Sequence, residues 1–403
     1  MTLTAPAQPQ AVAPALWVSW MRLTAFRNYP RAELACDGRP VVLIGPNGAG
    51  KTNLLEAVSF LAPGRGLRRA RIGEVDRRGT ARAGDAAATG GEAWSVAARI
   101  ETPEGRREVG TGRDTTAEGR ERRIIRIDGA TAGRQQDLGE LVVATWLTPS
   151  MDRLFQEAPS GRRRFLDRLV SALDPEHATR VNRYDHALRE RARLLRDGRG
   201  GDPAWLTALE QRMAEQAVAI AAARRELVDR LARACRRELG PFPKAGLGLA
   251  GDLESWLGQM PALDAEERLR AALQGSRGRD RESGGAAYGP HRSDLLARHL
   301  DKDLPAEQCS TGEQKALLIS LILGHARLLA AERGFAPLVL LDEVAAHLDA
   351  ERRAALFEEL LGLGAQAWMT GTEAGLFEGL ARRAQAFEVR DGTIRPAALT
   401  GPS

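Results

Sequence analysis

The chain has 403 residues, 43% hydrophobic and 28% charged, with 58 Lys+Arg against 53 Asp+Glu, enough for two or three compact units of an ordinary soluble protein. Three scattered cysteines, Cys36, Cys235 and Cys309, fall outside any metal-binding spacing and suit a reducing cytoplasm. No apolar run is expected to reach the length of a membrane span.

Residues 1–15 are rich in Ala and Pro and lack both a basic leader and a long apolar stretch. A frayed, disordered tail is expected there, and not a signal peptide. Residues 16–36 read as two strands around a turn at Asn28-Tyr29-Pro30. They lead into an apolar β-branched run, Val41-Val42-Leu43-Ile44, and then into Gly45-Pro46-Asn47-Gly48-Ala49-Gly50-Lys51-Thr52. The helix-like run that follows, Asn53-Leu54-Leu55-Glu56-Ala57-Val58, completes the strand, glycine loop and helix of a phosphate-binding P-loop. The glycines permit a tight turn, so that successive N–H groups converge into an anion nest, and the positive end of the helix adds to that field. On this reading residues 45–53, Asn53 included, bind nucleotide. Lys51 reaches the β- and γ-phosphates as a catalytic cation, and the Thr52 hydroxyl is a Mg²⁺ ligand. The plainer reading is a glycine-rich turn that happens to end in Lys-Thr. Lysine usage argues against it, because lysine occurs only at positions 51, 244, 302 and 315. A chain that uses arginine nearly everywhere has kept a compact ammonium where a phosphate needs a flexible point charge.

The net charge of +5 is unevenly spread: residues 65–82 hold seven arginines against two acids, and residues 151–199 hold twelve against eight. Such faces suit a phosphate backbone and point towards nucleic acid; an arginine-biased genome filling solvated faces gives the same count. Between 80 and 130, short alternating pieces at 94–100 and 122–127 suggest antiparallel hairpins, with Asp128-Gly129 a tight-turn signal. Another apolar strand is expected at 141–147. From about 150 to 275 the pattern turns helical. Leu206, Leu209, Met213, Ala217, Ile220, Leu227 and Leu231 form one apolar stripe. Its bland reading is packing against a neighbouring helix, and it allows at most a short coiled coil. After 300 the α/β texture returns, with strands near 337–341, 366–370 and 385–390. No internal repeats are visible. The expected order is the tail, an α/β head part with a β-rich subdomain at 16–149, a helical insertion at 150–285, and a second head part at 286–403.

Pro337-Leu338-Val339-Leu340-Leu341-Asp342-Glu343 has the pattern of a buried strand ending in two acids. Such a strand sets Asp342 beside the P-loop as a Mg²⁺ ligand, directly or through water. Glu343 then stands where it can orient or deprotonate an attacking water, as the second catalytic residue. Some way upstream, Ser310-Thr311-Gly312-Glu313-Gln314-Lys315 opens a long helix expected from Ala316 to about Ala331. A Ser/Thr cap, a glycine and a helix N-terminus make either an ordinary N-cap or a second anion site.

In company with the P-loop and the acid strand, that segment resembles the signature element of ABC-type ATPases. There the signature of one subunit closes over nucleotide held by the P-loop of the other, which makes Ser310 and Gly312 nucleotide-binding. Asp349, in His347-Leu348-Asp349, resembles the acidic loop after the second acid strand of the same group. Phe26-Arg27-Asn28-Tyr29, Gly289-Pro290-His291-Arg292-Ser293-Asp294-Leu295 and Leu341-Asp342-Glu343 narrow the resemblance to the RecF family, related to the SMC and Rad50 ATPases, over nearly the whole chain. The Gly289 to Leu295 string is the most discriminating piece, and spacing alone assigns it no role. The resemblance implies an ABC-type P-loop ATPase head split by a helical second domain (lobe II), with ATP and Mg²⁺ as cofactors and an ATP-dependent homodimer. It further implies weak DNA-stimulated ATPase activity on duplex or gapped DNA and at single-strand/duplex junctions. Recombinational repair and replication-fork maintenance in the cytoplasm would be the setting, with RecR and RecO as partners in RecA loading. The chain departs from the pattern at three places. Glu313 stands where a glutamine is common, and Ser150 where the family often has Glu. Trp368-Met369-Thr370-Gly371-Thr372 lacks the switch histidine of many transporter ATPases, leaving Thr370 as the nearest γ-phosphate sensor. Gly64-Arg65-Gly66 resembles a segment that could supply charge to nucleotide. Two other functions are weighed. An ABC transporter subunit needs a membrane partner, and the split head and missing histidine count against it. An SMC-like tether needs a longer arm than this insertion.

Overall fold

A computed structural model describes residues 14–77, 93–115, 119, 121–132, 134–197, 203–237 and 239–399. Most of the expected tail, 1–13, and the arginines at 78 and 82 lie outside the described residues. By internal packing the chain forms two units. The first is Met1–Met151, Leu239–Phe242 and His325–Ser403; the second is Asp152–Glu238 and Pro243–Gly324. Residues 286–324, with the Ser310 segment, thus pack with the helical unit, whereas the sequence pattern groups them with the second head part.

The first unit holds two sheets. One is six-stranded, in the order Thr393–Ala397, Gln385–Arg390, Val41–Ile44, Ala367–Gly371, Leu338–Leu341, Ala144–Leu147. Every pair in it is parallel except the closing hairpin of 385–390 with 393–397. Its central strands are buried at every position, as expected of continuous apolar runs covered on both faces. The second sheet is antiparallel, in the order Tyr29–Ala35, Trp17–Phe26, Ser95–Thr102, Gly105–Thr115, Glu121–Ile127, Ala130–Thr131. Its inward residues, among them Met21, Leu23, Val96, Ile100 and Ile125, share one core with Leu54, Leu55 and Val58 of the helix after the P-loop. That shared core fixes the P-loop helix against both sheets. The Asp128-Gly129 turn has φ of 51° and 83°, the pair of positive values a tight hairpin needs. The strand expected at 141–147 begins only at Ala144, because Gln136–Leu141 is a short helix.

The second unit is built from the helices Pro159–Leu173, His177–Arg196, Pro203–Cys235, Asp252–Leu257, Ala262–Gly275 and Arg277–Ser283. All seven residues of the apolar stripe are buried along the 33-residue helix Pro203–Cys235. A three-stranded sheet joins them, in the order Leu304–Pro305, Asp294–His299, Ala245–Ala250. The strand Ala245–Ala250 lies where a helical pattern is expected. Its sequence, Ala-Gly-Leu-Gly-Leu-Ala, has none of the β-branched residues that mark a strand, and pairing with Asp294–His299 decides its conformation.

The string from Gly289 to Leu295 ties this unit together. Gly289 has φ +133°, and a Cβ there would sit 2.1 Å from the Tyr184 hydroxyl oxygen. His291 Nε2 faces the Ala286 carbonyl at 3.0 Å and so carries the proton, which makes the Tyr184 hydroxyl the donor to Nδ1 at 2.7 Å. Burial lowers the His291 pKa to about 4, so the ring is neutral near pH 7. Arg224 donates to the Pro290 carbonyl (2.6 Å) and to both oxygens of Asp167, Arg163 donates to the Ser293 carbonyl, and Arg162 clasps Asp294 through two 2.7 Å bonds. Three helices are thereby anchored to one turn.

The helix Thr311–Arg333 starts five residues before the expected Ala316. It also corrects the expectation of no span-length run, for its 23 residues meet the length and mean hydropathy (1.3) of a membrane span. Of its apolar window, 78% is buried inside the protein, as in a core helix.

Candidate nucleotide site

The P-loop connects the strand Val41–Ile44 to the helix Lys51–Ser59. Two of its glycines are required by close approach. A Cβ at Gly45 would meet the Val389 carbonyl oxygen at 2.1 Å. At Gly50, φ is +114° and a Cβ would meet Asn28 Nδ2 at 2.5 Å and the Tyr29 hydroxyl at 2.6 Å. Lys51 is buried, and its ammonium donates to the carbonyls of Gly45 (2.6 Å) and Pro46 (2.9 Å). Burial lowers its pKa, while the nearby charges of Glu343 and Asp342 oppose that shift. The ammonium is therefore held by neutral carbonyls of its own loop, which a phosphate can replace at little cost.

Sequence reasoning quotes Phe26-Arg27-Asn28-Tyr29 only as a point of resemblance; the structure shows what the string touches. Asn28 Nδ2 donates to the Ala49 carbonyl (3.1 Å), the Tyr29 hydroxyl donates to the Gly50 carbonyl (3.0 Å), and Asn53 Nδ2 donates to Asn28 Oδ1 (2.7 Å). Arg27 reaches the same helix through a bidentate pair with the fully buried Glu56, at 2.8 and 2.6 Å, and Arg68 adds a third contact at 3.0 Å. The loop is thus held from outside as well as by its own fold. No periodicity or spacing rule carries that signal, because the contact runs between separate elements.

Asp342 follows the strand Leu338–Leu341, which lies one strand removed from the P-loop strand, with Ala367–Gly371 between them. The Thr52 hydroxyl donates to Asp342 Oδ1 at 2.9 Å, and the Thr370 hydroxyl donates to the same oxygen at 2.8 Å. Thr370 in turn accepts from the Glu343 amide at 2.8 Å. The suggested sensor is therefore buried as a crosspiece between the two acids. Glu343 has φ +54°, a left-handed value that costs a long side chain of order 1–3 kcal/mol and is held in place by the bond to Thr370. Burial raises the Asp342 pKa, the two hydroxyl bonds oppose this, and the neighbouring Glu343 charge raises it further.

A desolvated carboxylate whose partners are two neutral hydroxyls fits a hard cation, and Thr52 and Asp342 would hold Mg²⁺ with oxygen donors. Such an arrangement trades stability for function. Asp342→Asn keeps an oxygen for both hydroxyls and removes a buried charge. It is expected to raise the melting temperature of the nucleotide-free protein by about 1–3 °C while removing Mg²⁺-dependent nucleotide binding. Calorimetry with and without ATP and Mg²⁺ reads both effects; a lower melting temperature would show that the charge itself holds the site together.

Ser310 and Gly312 belong to the second unit, at the start of the helix Thr311–Arg333. The Glu313 carboxylate accepts from the Ser310 amide (2.8 Å) and hydroxyl (2.9 Å), and its other oxygen pairs with Lys302. The Lys302 ammonium, and then the Ser310 donors, hold the Glu313 carboxyl down at about 2. Glutamate in place of glutamine thus closes a capping box and anchors Lys302. Gly312 is exposed, with nothing within 4 Å of a Cβ built there. Its own chain gives no reason for a glycine that costs a helix about 1 kcal/mol.

Asp349 caps the helix Ala350–Leu363 by accepting from the Arg352 amide at 2.8 Å. Ser150 pairs with the Thr148 hydroxyl at 2.8 Å. Arg65 is exposed and unpartnered among the described residues, while Arg123 clamps its loop by donating to the Gly64 carbonyl. The structure therefore brings Lys51, Thr52, Asp342 and Glu343 together in the first unit, while Ser310 and Gly312 belong to the second.

Known proteins agree with this architecture. The RecF/RecN/SMC N terminal domain family matches residues 17–395. "DNA replication and repair protein RecF" of Mesorhizobium japonicum is 52% identical over 94% of this chain and 97% of its own length. The protein of the same name from Rhizobium meliloti is 49% identical over 94% and 98%. A solved structure of the recombination mediator protein RecF-ATPrS in the RecFOR pathway superposes with a TM-score of 0.79, at 21% identity over 96% of this chain and 100% of that one, a likeness of fold. The chain belongs to the RecF family, and its fold is that of an ABC-type P-loop ATPase head with a helical lobe.

Proposed function

We propose that this protein acts in DNA replication and repair, as its relatives' names say of them, by binding ATP and Mg²⁺ and closing as a homodimer on DNA. The observation that carries the nucleotide half is the Thr52–Asp342 hydrogen bond. It joins residues 290 apart in sequence beside the only lysine of the P-loop. In this reading the P-loop amides and Lys51 bind the phosphates, Thr52 and Asp342 hold the metal, and Glu343 takes the proton of the attacking water. Bound Mg²⁺ would supply neutralisation of phosphate charge. ATP-bound RecF among the solved structures supports the choice of nucleotide. Slow, DNA-stimulated hydrolysis, a cytoplasmic setting for the three free cysteines, and cooperation with RecO and RecR in RecA loading are parts of the same proposal.

The dimer rests on the incompleteness of each half. Ser310 and Gly312 end a helix whose N-terminus is exposed, and an exposed glycine with open space around it leaves room for another molecule to approach. We assign that approach to the nucleotide on a second copy. Ser310→Arg should leave ATP binding by the separate chain largely intact, since its P-loop is untouched, and abolish ATP-induced dimerisation through bulk at the contact. Sedimentation with ATP and Mg²⁺ tests this. A variant dimer as stable as the parent's would sink the shared site, and a parent that stays monomeric in ATP with duplex DNA would sink the dimer.

A further inference from the structure

The helix His177–Arg196 carries two kinds of arginine. On its inward face, with Val181, Tyr184 and Leu188, lies Arg191, which is buried and donates to Glu210 at 3.0 Å and to Asp280 at 2.9 Å. On the opposite face Arg189, Arg193 and Arg196 follow one another at i, i+4 and i+7, with His186 one turn before and Arg183 at the flank; all are exposed. Among the described residues none of the four outward guanidiniums is ion-paired; Arg196 donates only to the Ala192 carbonyl. Three carboxylates lie on or beside the face, and of these the exposed Asp197, at the helix C-cap, is in no ion pair among the described residues. Glu190 reaches only His186, at 3.9 Å, and Asp185 feels the Arg189 charge without pairing to it. Favourable interaction with the helix dipole accounts for arginine in the last turn, at 193 and 196, and not for Arg183 or Arg189.

A helix that neutralises its inward arginine with two acids and leaves four outward ones uncompensated concentrates positive charge along about 20 Å of rigid rod. Duplex DNA carries about one charge per 1.7 Å of axis, so each of the four guanidiniums meets phosphates within such a length whatever the base sequence. We propose that this face of the helix is a phosphate-contact surface for duplex DNA, a placement that rests on the DNA-binding reading above. Apart from the Arg196 bond to the Ala192 carbonyl one turn back, the four guanidiniums have no internal partner among the described residues, so their removal is expected to leave the fold intact.

The test is the quadruple variant Arg183→Gln, Arg189→Gln, Arg193→Gln, Arg196→Gln in the full chain, beside an equal-charge control. The control replaces the exposed Arg99, Arg106 and Arg122 and the half-buried Arg383, all ion-paired elsewhere. Fluorescence anisotropy of a labelled duplex is followed from 50 to 300 mM KCl. The stripe variant is expected to bind about tenfold or more weakly, with a log K against log salt slope flatter by roughly 2–4, and to retain parental ATP binding. Parental affinity and slope in that variant would overturn the placement in favour of an acidic protein partner. An equal loss in the control would overturn it too, as a general charge effect. A parent that binds no duplex at any salt would instead remove the DNA reading on which the surface rests.

Discussion

Glu343→Gln is expected to retain ATP binding and to slow hydrolysis by about 10²–10⁴-fold, the usual worth of a positioned general base. The backbone around Glu343 explains why so little else should change. Its left-handed conformation, φ +54°, is secured by the amide bond to Thr370, which glutamine keeps. The acid beside it, Asp342, retains both hydroxyl donors, and Lys51 loses only one of two nearby negative charges. An amide can still hold a water but cannot accept its proton. The ATP-bound dimer should accumulate, and its residence on DNA should lengthen. Single-turnover hydrolysis and nucleotide affinity, measured together, separate the outcomes. Parental turnover would remove Glu343 as the base, and lost affinity would make it a binding residue instead.

Lys51→Ala should weaken ATP binding by about 10–100-fold, the worth of one or two charge-assisted hydrogen bonds. In the structure the ammonium spans the carbonyls of Gly45 and Pro46, so the substitution also deprives two loop oxygens of their donor. Some loss of loop order accompanies the loss of charge. Lys51→Arg separates the two effects, because a guanidinium can satisfy carbonyls but is bulkier and planar. Hydrolysis should fall more than affinity in that variant. Titration of a fluorescent ATP analogue reads the affinity; full affinity in Lys51→Ala would count against phosphate binding by this loop.

Much of the architecture was legible from local pattern. The P-loop strand at 41–44, the acid strand near 338–341 and the stripe from Leu206 to Leu231 are where short-range periodicity places them. Parallel strands buried on both faces must be continuous apolar runs, and a helix packed on one side must repeat every three or four residues. The strand Ala245–Ala250 was not legible, since its pairing with Asp294–His299 overrides a composition poor in strand formers. The helix expected from Ala316 was legible, but its start at Thr311 and its burial, a property of what surrounds it, were not.

The same division runs through the candidate site. Residue types and spacing by themselves determined which groups could carry phosphate chemistry: Lys51 and Thr52 after a glycine loop, Asp342 and Glu343 at the end of a buried strand. Only the tertiary structure decided that Thr52 and Thr370 share one oxygen of Asp342, that Asn28 and Tyr29 brace the loop, and that Glu313 pairs with Lys302. Local sequence sets backbone preference and burial through interactions a few residues long. Hydrogen bonds between groups up to 290 residues apart depend on the sheet order and on which strand lies between two others, and that information is held by the packed chain as a whole.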